Sequence, residues 1–145
     1  MEVKNKVITL PQALRLRELG VNQIPSISTY CWYLAAEASP IIIPSQWILE
    51  KPPISNSTEV ISAFDTAELG IMLPSDSQLS ISRNKKNLWS VRYSNVLTPI
   101  RCETEAQARG NALIQLIELG YVNVTHVNMN LMEVSNVEDV LIGLS

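Results

Sequence analysis

Three side chains in this 145-residue chain are nucleophiles, bases or metal ligands of the first rank: Cys31, Cys102 and His126, the chain having two cysteines and one histidine. A thiol with His126 as its base is the one nucleophile and base couple they offer, and no local motif places either cysteine beside the histidine. Metal sites use closely spaced donors; here the cysteines form no CxxC and the histidine stands alone in Thr125-His126-Val127. Glycine-rich phosphate loops are absent from the sequence. The expectation is a protein with no catalytic residue, no metal ligand and no cofactor, in which both thiols are reduced and partly buried.

Two other groupings have the right residue types for binding. Arg83, Lys85, Lys86 and Arg92 flank Trp89 and Tyr93, so cations are available for phosphates and rings for stacking on bases. The plainer reading is a solvated hairpin turn, because a period of two puts Trp89 and Tyr93 on the face opposite Arg92. The second grouping is Pro40 to Leu49, where Ile41, Ile42, Ile43 and Trp47 lie between prolines. Disordered linkers seldom carry so much apolar material. The segment is expected either to be strapped over the core or to form a surface for a protein partner or a second copy of the chain.

Composition narrows the classes. A formal charge of -3 and a pI near 5.1 argue against electrostatically driven binding of nucleic acid or acidic membranes. With 46% hydrophobic residues, the chain has enough material for one core. The N-terminal apolar run is interrupted by Pro11, far short of the ~20 residues of a membrane span. A soluble, cytoplasmic, single-domain protein is expected.

The elements that must hold these groups are best marked at Thr104 to Gly120. Thr104 with Gln107 spells a capping box, Ala106, Gly110, Leu113 and Ile117 recur at helical spacing, and Gly120 supplies the stop. Glycine within a helix costs roughly 1 kcal/mol against alanine, so Gly110 is expected to permit close approach to a strand. Upstream, Asp65 or Thr66 caps a helix to about Leu73, ended by Pro74. Between the two helices, Gln78 to Arg83, Leu88 to Ser94 and Val96 to Cys102 read as an antiparallel meander, with Pro99 disturbing the third run. The fold class is α+β: an antiparallel sheet of three or more strands packed by helices, with a helix-strand-strand-strand-helix core at about 65–119. A helix from Pro11 to about Leu19 and a strand within Ser28 to Ala35 precede it. A packed, proline-rich connection spans 39–57, with a brief strand at Ile41 to Ile43 or a turn around Trp47. Beyond Gly120, Tyr121 to Val127 reads as a further strand, and Ser135 with Glu138 begins a terminal helix. Glu-Leu-Gly recurs at 18–20, 68–70 and 118–120, but the flanking residues differ and no repeat is inferred.

Three stretches together carry a resemblance: Leu16 to Val21 with the Tyr30 to Tyr33 aromatic run, Ile61 to Pro74, and Ala106 to Glu118. In them the chain resembles a family of small uncharacterised proteins encoded by phages, prophages and their bacterial hosts. The resemblance implies one compact domain in a mobile-element setting and supplies no functional residues. The order from 65 to 119 is similar to that of double-stranded RNA-binding domains and of antitoxins with a partial version of that fold. Where such domains carry lysines at the start of the last helix, this chain has Glu103, Thr104 and Glu105, and the two carboxylates repel phosphate. The function expected is that of a non-catalytic interaction or regulatory factor, with weak nucleic-acid binding through Arg83, Lys85, Lys86 and Arg92 as the alternative.

Overall fold

The computed structural model describes residues 2–23, 30–35, 47–52, 57–76 and 78–132. The longest helix among the described residues, α3 (Glu105–Glu118), is central because small residues let neighbours close in on several sides. Ala106, Ala108, Gly110, Ala112, Leu113 and Leu116 are all buried, and α3 packs against α1 (Leu10–Glu18), α2 (Thr66–Met72) and strand β5 (Trp89–Tyr93).

Among the described residues, two antiparallel sheets accompany the helices. Strands β1 (Cys31–Ala35), β2 (Trp47–Glu50) and β3 (Ser57–Ser62) form one in the order β2-β1-β3, and β4 (Leu79–Arg83) pairs with β5 in the other. This is the α+β class expected. One apolar cluster runs from Ile8 through Leu16, Ile61, Phe64, Leu69, Val91 and Leu113 to Leu131, with Phe64, Leu69 and Leu113 fully buried.

The helix ends follow local chemistry. Thr9 and Gln12 form a complete capping box ahead of α1, with Pro11 in its first turn. Asp65 and Glu68 do the same for α2. Ahead of α3 only half of the expected box forms: the Thr104 hydroxyl accepts from the Gln107 amide at 3.1 Å, while the reciprocal bond to the Thr104 amide is not made. Helices α1 and α3 close with the same device. Gly20 (φ 98°) and Gly120 (φ 82°) take the left-handed conformation, and the Val21 and Tyr121 amides reach back to the Leu16 and Leu116 carbonyls. That is a Schellman motif at each Glu-Leu-Gly, and glycine alone takes this conformation without a Cβ penalty. In the middle copy, Gly70 lies inside α2.

Four details depart from expectation. Trp47 begins strand β2 rather than sitting in a turn, since β1 offers it a partner along Leu34↔Trp47 to Cys31↔Glu50. The third run of the meander, Val96 to Cys102, is reduced to one bridge between Trp89 and Cys102; Pro99 has no amide to donate, and Gln115 of α3 takes the Thr98 backbone instead. Residues 124–132 are helical rather than extended, the Asn123 side chain accepting from the Thr125 amide at 2.7 Å, and we label this helix α4. Gly110 approaches the N-terminal segment, not a strand: a Cβ there would lie 2.7 Å from Ile8 Cγ2 and 3.2 Å from Gln12 Nε2. Ile41 to Ile43 and the helix expected after Ser135 lie outside the described residues.

Candidate functional site

The thiols are placed where they are poor nucleophiles. Cys31, at the start of β1, is fully buried, and desolvation, aided by the Glu68 carboxylate, pushes its pKa up to about 11. Burial raises Cys102 as well, opposed by a hydrogen bond from the Asn111 amide, 3.2 Å from the sulfur. A thiolate is the reactive form, so both shifts act against nucleophilic chemistry. His126 is an exposed residue of α4 and lines a cleft of about 420 Å³ with Tyr121 and Asn130; no cysteine lines it. Among the described residues no three His, Cys, Asp or Glu side chains gather as a metal-binding group.

The basic hairpin is divided by its register. Arg83 pairs with Trp89 and therefore shares its face, whereas Arg92 pairs with Ser80 on the other. Lys85 and Lys86 are exposed in the turn between them. Asn84 organises that turn, accepting from the Lys86 and Leu88 amides at 2.9 and 3.0 Å, and Asn87 adopts φ 62°, a conformation asparagine tolerates. The Arg83 guanidinium lies 5.4 Å from the Trp89 ring centroid. Tyr93, on the Trp89 face, donates to Asp76 at 2.6 Å; this bond, then desolvation, raises its pKa. The four cations thus do not form one surface, and one of them covers an aromatic ring.

Trp89 and Arg83 line a larger cleft of about 800 Å³, whose other walls come from Lys6, Tyr30, Asp65 and the start of α3 at Glu103 to Glu105. The elements around it explain its shape. The Val7↔Asp65 bridge fixes the N-terminal segment beside α2, and the Trp89↔Cys102 bridge fixes the hairpin beside the start of α3. Glu105 is held by Arg109 at 3.0 Å, and Asp65 uses one carboxylate oxygen on the Glu68 amide at 2.8 Å.

The other notable surface is the three-stranded sheet. Alternation sends Trp32, Leu49 and Ile61 to one face and Tyr33, Ile48 and Val60 to the other, the latter three aligned across the strands. Trp32 and Trp47 pack on the core from the first face. On the second, Ile48 is 39% exposed, and desolvation followed by the nearby Glu50 carboxylate raises the Tyr33 phenol. Of the apolar residues expected to meet a partner, Trp47 is therefore half-buried against the core, while its neighbour Ile48, which periodicity alone does not single out, is presented outward. Among the described residues, strand β2 is an edge of its sheet.

Comparison with known proteins finds no family model, no curated protein and no solved structure that matches this chain. No described helix is long and apolar enough to cross a membrane.

Proposed function

We propose that this protein is a small, non-catalytic interaction factor that associates with a second copy of itself through the β2 side of its three-stranded sheet. The observation that carries the reading is Ile48: an apolar side chain, exposed on an edge strand, in line with Tyr33 and Val60. An unpaired edge is a template for another strand, and an antiparallel pair of identical edges satisfies two-fold symmetry with the same residues on both sides. The strand is four residues long and is followed by Lys51 and Pro52, a charge and a missing amide that limit how far pairing extends. A weak, reversible dimer is the consequence. In the phage or prophage setting implied by the family resemblance, such a factor acts as an accessory or regulatory protein in the host cytoplasm.

The test is solution mass by light scattering across a concentration series. The wild type is expected to rise above the 16.1 kDa of one chain as concentration increases, and Ile48→Ser to remain there with an unchanged circular dichroism spectrum. A wild type that stays monomeric at high micromolar concentration overturns the reading.

A further inference from the structure

The 800 Å³ cleft falls within the size range of small-molecule sites, and apart from Tyr30 and Trp89 its lining is polar or charged. Its aromatic lining residues are Tyr30 and Trp89, with Lys51 over the Tyr30 ring and Arg83 over the Trp89 ring, 5.7 and 5.4 Å from the centroids. Its charges divide into used and unused. Glu105 is neutralised by Arg109, and Asp65 caps α2. Lys6, Arg83 and Glu103 take part in no salt bridge among the described residues. Both signs of charge are thus available around two aromatic surfaces.

That mixture selects by chemistry. A phosphate group placed at Lys6 and Arg83 also meets the carboxylates of Glu103 and Asp65, and a simple cation meets the converse penalty. A molecule with one charge of each sign and a flat apolar body suits all of these groups together. We infer that the cleft binds a small aromatic zwitterion, with an aromatic α-amino acid as the simplest member of the class. Its carboxylate pairs with Arg83 and Lys6, its ammonium with Glu103, and its ring lies against Trp89 and Tyr30. Arg83 suits the role because a guanidinium can stack on a ring while donating in its own plane to a carboxylate. This site shares no residue with the sheet surface proposed for dimerisation, so either reading can fail alone.

The experiment is a titration followed by the indole N–H resonance of Trp89, assigned by its disappearance in Trp89→Phe. L-phenylalanine is the probe; N-acetyl-L-phenylalanine keeps only the negative charge, phenethylamine only the positive one, and adenosine monophosphate tests an anionic nucleotide. L-phenylalanine is expected to shift the resonance saturably, and removing either charge to weaken binding by about tenfold or more. Glu103→Gln and Arg83→Gln are each expected to cause a similar loss while both variants keep the wild-type circular dichroism spectrum, both side chains being exposed. No shift up to the solubility limit of L-phenylalanine overturns the inference. So does equal or tighter binding of a singly charged analogue or of the nucleotide, or binding indifferent to both substitutions.

Discussion

Gly110 shows how a single missing carbon sets a contact. Its place in α3 forgoes helix propensity of roughly 1 kcal/mol, and the space its absent side chain leaves is filled by Ile8 and Gln12. Gln12 then donates to the Gln107 carbonyl at 2.9 Å and to the Asn111 side chain at 2.8 Å. Gly110→Ala gains propensity but drives a methyl group into Ile8; the expected net loss is about 1 to 2 kcal/mol, measured by urea denaturation. That glycine has a close neighbour is readable from its position on an apolar stripe, but which neighbour is not, since Ile8 lies a hundred residues away in sequence. Cys31 gives a second prediction. With its pKa raised from an ordinary 9.0 to about 11, the native thiol should be alkylated about 100-fold more slowly at pH 8 than an unperturbed one. Because the folded state holds the proton more tightly, this group's contribution to stability is intact below about pH 9 and is lost as pH rises through about 11. Denaturation midpoints of the wild type and Cys31→Ala should therefore converge across that interval.

At the level of elements, what the sequence revealed best were boundaries made by local chemistry. Asp65 with Glu68, Thr104 before α3, and the glycines at 20 and 120 act within one turn of where they stand, so they are legible without knowing the fold. Thr104→Ala should cost about 1 kcal/mol, visible as a lowered thermal midpoint, since this hydroxyl is buried and bonded to the Gln107 amide. Elements that depend on a distant partner were less legible. Strand β2 exists because β1 pairs with it, and its flanking prolines disguise it as a turn. The stretch after Gly120 alternates weakly, yet Asn123 caps it and Val127 and Leu131 are buried four residues apart, a helical spacing outweighed by β-branched residues at 122, 124, 125 and 127. In the basic cluster, periodicity already set Arg92 on the face opposite Trp89 and Tyr93; the register that puts Arg83 beside Trp89, and so apart from Arg92, is a property of the pair of strands.

For the whole molecule, association and stability are linked. If the β2 edge pairs two copies, the native state is favoured by mass action, and the melting temperature of the wild type should rise with protein concentration while that of Ile48→Ser does not. The core itself joins early and late segments of the chain. Besides the Gln12 bonds, Arg15 of α1 pairs with Glu118 of α3 at 3.0 Å, and the Asn22 amide, in the turn after α1, donates to Asn128 of α4. The partners of Gln12 lie 95 and 99 residues downstream. At ribosomal rates of about 5–20 residues per second, roughly 5 to 20 s separate the synthesis of α1 from that of the helix it leans on. Throughout that interval the nascent chain shows Ile8, Ala13 and Leu16 to the cell without the surface that will cover them. The molecule's burial is thus a matter of timing as well as packing, and whatever attends the emerging polypeptide meets those three side chains before α3 does.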